Sequence, residues 1–434
     1  MRNLHLGELF SLLGAFSFGG RFLKATPHYS QEQMRDWQWE RIVRLVRHAY
    51  DNVPFYHDLY RGVSFQPEDL RTWDDFYRLP TVSKDQVITN FPNRMIAKGF
   101  QLDNLVVSRS SGSSGKVLDI AYDSRAIVLY TLAGLRLYGM GFNYRPWNRQ
   151  LYIYTSPYPL NSLFGLYPLD FLSTLTPIPK IIMQLKRQKP DLLVCYPSHL
   201  KQIEREMTDA DLAQIHLCCI SVNSEMSTQA ERDYLAKRFC CPVLDEYSSE
   251  ELTRIAAQCR CGTYHLFEDI NYIESKPESN RADGLGLLVG TNLHNYAMPM
   301  VRYEQNDLGR IEETTCACGW NFRALVNLQG RKNDSFVLPS GRTISSGFLL
   351  DATYEVLLTY RTAVKDFCLI QQSRDEVVLE VVVGEGWHAE TKKAIERRFE
   401  SFFEPGVRFN ISAVEICSKT KSGKRNPIIS RVSK

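Results

Sequence analysis

Apolar residues recur at helical spacing between Gln31 and Tyr60, at Met34, Trp37, Ile42, Leu45, Val46 and Ala49, until Pro54 breaks the run. This pattern predicts an N-terminal helical region. From Ser64 to Ile96 the apolar groups are short and separated by Pro67, Pro80 and Pro92, which predicts short helices and turns. Thr81-Val82-Ser83-Lys84-Asp85 suits a helix start, because Ser and Asp side chains accept from first-turn N–H groups. Beyond it, helix-like and strand-like patterns alternate. Helices are predicted over 124–139, 181–186 and 227–239, and strands over 150–154, 192–195, 215–222 and 242–247. Such alternation predicts an α/β core, in which ligands bind beyond the C-terminal ends of the strands. The signal then turns to β structure at 285–289 and 300–303, and Gly330-Arg331-Lys332-Asn333-Asp334 makes a polar break. The expected organisation is a large α/β domain over 1–330, with residues 1–100 as its helical region. A small α+β domain over 331–434 follows, with a helix near 349–359, a strand over 376–383, a helix over 389–403 and a basic tail.

At 434 residues the chain exceeds the usual reach of one hydrophobic core. Basic and acidic residues nearly balance, 52 against 49, so there is no field to attract nucleic acid or an anionic membrane and the expected partner is a small molecule. Eleven cysteines without a secreted-type framework fit a reducing cytoplasm. The apolar stretch 6–18 is interrupted by Gly7, Glu8, Ser11 and Gly14 and is too short to span a bilayer, which leaves weak contact with a membrane surface or with another domain.

The densest chemistry lies in Ser108-Arg109-Ser110-Ser111-Gly112-Ser113-Ser114-Gly115-Lys116, between two strand-like stretches. Gly112 and Gly115 permit close backbone approach, and hydroxyls, N–H groups and Lys116 supply donors, a combination that suits a polyphosphate. The run is not a Walker A loop, since its glycines are too close, Val117 follows Lys116, and a strand rather than a helix comes next. A phosphate-gripping hairpin and a plain polar linker both fit this segment alone. Cys259-Arg260-Cys261-Gly262-Thr263-Tyr264-His265 and Cys316-Ala317-Cys318-Gly319 offer thiolates and an imidazole suited to tetrahedral zinc, and spacing alone leaves buried reduced thiols as the alternative.

Five separated segments together carry a family resemblance. They are Ser110 to Lys116; Asp245-Glu246-Tyr247-Ser248-Ser249-Glu250-Glu251; Ala297-Met298-Pro299-Met300-Val301-Arg302-Tyr303 with Asp307-Leu308-Gly309; Gly330-Arg331 with Asp334; and Lys421-Ser422-Gly423-Lys424-Arg425. In order and rough spacing the chain resembles the adenylate-forming enzymes, specifically their phenylacetate-CoA ligase and capsule-biosynthesis (CapK-like) branch. The resemblance implies that architecture, ATP, magnesium and, as thiol acceptor, coenzyme A. A carboxylic acid, aryl or otherwise hydrophobic, would become an acyl-adenylate and then a thioester. Transfer to an amine, a carrier protein or a cofactor, and a degenerate nucleotide- or acyl-binding scaffold, are the alternatives.

By the same resemblance Ser110, Ser111, Gly112, Ser113, Ser114, Gly115 and Lys116 bind phosphate, and Lys424 and Glu251 are catalytic. Glu251 holds magnesium, with Glu250 beside it as a departure from the family's pattern. Asp307 takes the ribose, Arg331 the ribose or phosphate, and Asn223, Ser224, Glu225, Asp245, Glu246 and Tyr247 border the adenine. Asp334 is the hinge of a mobile C-terminal domain. The family pattern selects Cys259, His265, Cys316 and Cys318 as structural zinc ligands, with Cys261 as an alternative. A homodimer is compatible with all of this. Tyr152, Tyr154, Tyr158, Phe164, Tyr167 and Tyr196 suit either an aryl pocket or core packing.

Overall fold

The computed structural model describes residues 19–109, 117–155, 157, 165–277, 284–418 and 425–432. The apolar stretch 6–18 lies outside them, as do Tyr158 and Phe164. The helical N-terminal region forms where periodicity predicts it. Ser30 caps the helix Gln31–Asn52 by accepting from Gln33 N, while the Gln33 side chain accepts from Ser30 N. Pro54 then occupies the first turn of a separate helix, Pro54–Arg61, where its missing N–H costs nothing. Ser83 and Gln86 form a second reciprocal cap at the helix Lys84–Asn90.

A hairpin of β1 (Val106–Arg109) and β2 (Asp119–Tyr122) flanks residues 110–116, with Arg109 opposite Asp119 at the end nearest that segment. The main sheet follows: β3 (Gln150–Tyr154), β4 (Leu169–Ser173), β5 (Leu192–Cys195), β6 (Cys219–Asn223), β7 (Val243–Ser249), β8 (Thr253–Gln258), β9 (Tyr264–Leu266), β10 (Asn271–Pro277), β11 (Gly286–Asn292), β12 (Tyr303–Glu312) and β13 (Ala324–Val326). Its spatial order is β10-β11-β12-β13-β9-β8-β7-β6-β5-β3-β4. The run from β4 to β7 is parallel, and antiparallel pairing begins where β8 turns back on β7. Helices Ile178–Gln188, Pro197–Glu206 and Gln229–Phe239 cover one face of the parallel half over Leu151, Ile153, Leu193, Ile220 and Val222. The helix Ser124–Gly141 and the N-terminal helices build the larger core opposite.

Arg302 ties that N-terminal region to the sheet. Its buried guanidinium grips Glu274 through Nε and Nη2, at 3.0 and 2.9 Å, and donates from Nη1 to the carbonyls of Tyr77 and Leu79. The strand expected over 300–303 therefore begins only at Tyr303, because Arg302 takes a left-handed φ of 50° to aim its side chain inward. Likewise the strand expected from 215 begins at Cys219, after residues 208–212 close a capped helical turn.

Past the polar break come β14 (Phe336–Val337), β15 (Thr343–Ile344), the helix Ser346–Leu358, β16 (Val364–Ser373), β17 (Glu376–Val383), the helix Ala389–Glu400, β18 (Arg408–Ala413) and β19 (Ile428–Ser430). The last four strands form a sheet in the order β18-β17-β16-β19. Phe336, Leu369, Leu379, Ile395, Phe399 and Ile428 belong to a hydrophobic cluster of this region's own. Among the described residues no helix is long and apolar enough to cross a membrane.

Candidate active site

The ends of β6 and β7, the turn after β7 and the start of β12 meet beside the β1–β2 hairpin. Residues 110–116 and Lys424 lie outside the described residues, but both flanks of the first are fixed. Arg109 makes two ion-pair contacts with Asp119, at 2.7 and 3.0 Å, and Ser108 Oγ donates to Glu250 Oε2 at 2.5 Å. Tyr122, on the second strand of the hairpin, donates to the carbonyl oxygen of Glu250. The two strands on either side of the Ser/Gly/Lys run are therefore tied to the turn that carries both glutamates.

The two glutamates face different partners. Glu250 is held by the hairpin, whereas buried Glu251 accepts from the hydroxyl of Tyr303 at 2.8 Å. Burial pushes the Tyr303 hydroxyl well up, and the nearby Glu251 pushes it further, so Tyr303 stays a donor. Tyr303 was not singled out from the sequence as a site residue. Its signal was its place beside Arg302, whose inward turn sets Tyr303 at the head of β12.

Tyr247, near the end of β7, donates to Asp307 Oδ2 at 2.5 Å. Burial pushes the Asp307 carboxyl up, against the opposing pull of Arg331 and of the Tyr247 hydroxyl. Arg331 is brought there by the backbone: Asp307 and Arg331 form a bridge, and Leu308 N donates to Gly330 O at 3.0 Å. Gly330 permits this with φ of 65°, where a Cβ would meet Met226 Sδ at 2.6 Å. Tyr247, Glu251, Asp307 and Arg331 thus form one cluster, and Asp334 lies close enough to act on Asp307.

The remaining predicted nucleotide residues divide between the faces of β7. Asp245 accepts from Tyr264 at 2.6 Å and lies 3.6 Å from Arg232, under the helix Gln229–Phe239. Glu246 points to the opposite face, where it pairs with Arg254. Gly134 makes room for that arginine, because a Cβ there would lie 2.5 Å from its guanidinium. Asn223 is in register with Glu246, and its amide approaches that carboxylate at 3.5 Å. Ser224 shares a hydrogen bond of 2.7 Å with the Tyr154 hydroxyl, and Glu225 accepts from Ser198 N and Arg425 N. Tyr152 and Tyr154 stack at 4.3 Å and 7°, and Tyr196 lies 4.5 Å from Tyr154, which makes an aromatic wall at the ends of β3 and β5. Tyr167 packs instead against Tyr144.

A second constellation lies on the antiparallel half. The ligand atoms of Cys259, His265, Cys316 and Cys318 all fall within 4.8 Å of one another. Cys259 and Cys316 Sγ are 3.6 Å apart, and Cys318 Sγ is 3.1 Å from His265 Nε2. His265 Nδ1 is 3.0 Å from the carbonyl oxygen of Phe322, so the proton belongs on Nδ1 and the lone pair of Nε2 faces the thiols. Gly262 and Gly319, both at φ of 84°, turn the chain behind each cysteine pair. Cys261 is exposed and stands outside the four. Three sulfurs and one imidazole nitrogen fit a tetrahedral zinc, and would leave no coordination position open for substrate.

No family model matches the chain. It is 28% identical over 332 residues to a phenylacetate-coenzyme A ligase of Aromatoleum evansii, covering 71% of this chain and 73% of that protein. It is 22% identical over 312 residues to the protein CapK of Staphylococcus aureus, covering 66% and 67%. Its structure superposes with a TM-score of 0.79 on 2-hydroxyisobutyryl-CoA ligase in the postadenylation state, at 18% identity. That superposition covers 94% of this chain and 91% of the ligase, so the shared fold takes in both sheets.

Proposed function

We propose that this relative of the phenylacetate-coenzyme A ligases and of CapK, built on the adenylate-forming fold, joins a carboxylic acid to a thiol at the expense of ATP. The observation that carries the reading is the cluster of Tyr247, Glu251, Asp307 and Arg331 at the strand ends, set against the base of the Ser/Gly/Lys hairpin. A carboxylate attacks the α-phosphate of ATP, pyrophosphate leaves, and coenzyme A then displaces AMP from the acyl-adenylate.

Each residue has a task in that sequence. Residues 110–116 cradle the leaving phosphates. Asp307, with two carboxylate oxygens, accepts from the ribose hydroxyls, and Arg331 steadies the same sugar or its phosphate. Glu251 is the residue that would hold magnesium, with Tyr303 orienting its carboxylate, and the ion would supply positive charge that offsets the phosphates. Asn223, Ser224 and the backbone from Asp245 to Tyr247 border the base. Lys424 arrives on the small C-terminal part to neutralise charge growing on the α-phosphate. Residues from 331 on then rotate about Asp334 to admit the thiol. Cys259, His265, Cys316 and Cys318 would hold a structural zinc that staples the β8–β9 turn to the β12–β13 connection.

The aromatic wall of Tyr152, Tyr154 and Tyr196 supports a flat or hydrophobic acid, held against rings beside Ser224. The test is ATP–pyrophosphate exchange across aryl, fatty and amino acids, with coenzyme A then added to each acid that responds. Exchange with aryl or other hydrophobic acids, followed by coenzyme-A-dependent AMP release, is expected. ATP binding without exchange for any acid would contradict the reading.

Asp307→Asn gives a narrower prediction. The variant keeps the shape but replaces one accepting oxygen with a donor. Loss of one charge-assisted hydrogen bond should weaken ATP binding by roughly 10–100-fold, measured by calorimetry. Unchanged affinity would remove Asp307 from the ribose site.

A further inference from the structure

The carboxylate of Glu225 has two partners that belong to different parts of the chain. Oε2 accepts from the backbone N–H of Ser198, in the first turn of the helix Pro197–Glu206, at 3.1 Å. Oε1 accepts from the backbone N–H of Arg425, in the C-terminal part, also at 3.1 Å. The first contact anchors Glu225 within the large sheet's own layer. The second reaches across to the small sheet.

Arg425 is in turn bound tightly to that small sheet. Its guanidinium pairs with Asp366 at 2.7 Å, donates to the carbonyl of Phe367 at 3.1 Å and lies 5.1 Å from the centre of the Phe367 ring. Both residues belong to β16. Arg425 therefore holds the small sheet with its side chain and the large one with its backbone. Around it lie further contacts across the same joint. Arg361 lies over Tyr234 at 5.4 Å and Met226 packs on the small sheet's hydrophobic cluster, while within the small part Asn426 donates to Asp334 at 3.2 Å. The buried ion pair of Lys201 and Glu231, 2.5 Å apart, completes the charged surroundings.

We propose that Glu225 is a positioning residue for the first half-reaction. By accepting the Arg425 N–H it fixes the small sheet against the strand ends of the large one. The proposal rests on the reading of Lys424 as the adenylating lysine. It differs from a role for the Glu225 carboxylate beside the adenine, because both oxygens are already engaged by peptide N–H groups. It also predicts an asymmetry, since a contact of this kind serves the step that needs Lys424 and is released when the small part rotates.

Glu225→Gln tests it with little change of shape. Its amide has one accepting oxygen for two N–H donors, so one partner must face an NH2 group. Hydrogen exchange at the Arg425 amide in the full chain should quicken by roughly 10–100-fold, the worth of one charge-assisted hydrogen bond. In parallel, the ratio of pyrophosphate exchange to thioester formation from supplied acyl-adenylate should fall about tenfold or more. Asp366→Asn, which loosens Arg425 from the small sheet without touching Glu225, should lower the same ratio and covers the case in which Glu225→Gln does not fold. Equal loss in both half-reactions, or an Arg425 amide that exchanges as before in Glu225→Gln, would overturn the proposal. If the wild-type chain adenylates no acid but its Arg425 amide is protected and is released in Glu225→Gln, the contact stands and the proposed function fails.

Discussion

Lys424→Ala is expected to lower acid-dependent pyrophosphate exchange by about 10²–10³-fold, the usual consequence of removing one donor aimed at charge that develops in a transition state. ATP binding should change far less, because in the proposed reaction the lysine acts on the α-phosphate only as the carboxylate attacks. The residues that follow Lys424 are held in place: Arg425 is tied to Asp366 and Glu225, and Asn426 to Asp334. Thioester formation from supplied acyl-adenylate should survive in the variant, since that step needs no charge neutralised at the α-phosphate. Exchange at the wild-type rate would remove Lys424 from the chemistry.

The second large effect is expected at the Cys259, His265, Cys316 and Cys318 cluster. Purified protein should carry about one zinc per chain, and the double variant Cys316→Ser/Cys318→Ser should carry essentially none. The free energy of binding a structural zinc is folding free energy, and in small domains it runs to about 10 kcal/mol or more. Here the four ligands join the β8–β9 turn to the β12–β13 connection, so the double variant should lose on the order of 5 kcal/mol of stability. Unfolding of the two proteins in denaturant measures this. Folded wild-type protein free of metal, with the four thiol and imidazole groups intact, would rule the site out.

The sequence was most legible where one local rule governed the outcome. Periodicity and Pro54 placed the first helices, the apolar runs at 150–154 and 192–195 placed two parallel strands, and the motif order brought Tyr247, Glu251, Asp307 and Arg331 to one cluster. Spacing alone left the cysteines open, and it was the family pattern of one cysteine, one histidine and a Cys-x-Cys that selected the four residues that meet. What the sequence hid depended on contacts between distant segments. The strand β16 mixes a charged start, an apolar middle and a polar end, while β19 is three residues long and lies in a tail that reads as basic loop; each is a strand because the sheet supplies its partner. Tyr303 meets Glu251 beside the inward turn of Arg302, and Glu225 meets Arg425 across 200 residues of chain, contacts that no local pattern signals.

The most direct test follows oxygen. With an accepted acid labelled with 18O in its carboxylate, turnover in the presence of ATP and coenzyme A should deliver one labelled oxygen to AMP, because the carboxylate oxygen that attacks phosphorus leaves with the nucleotide. Label in AMP would establish adenylation. Thioester formed with ADP as the nucleotide product, and with the 18O in inorganic phosphate instead, would contradict the account.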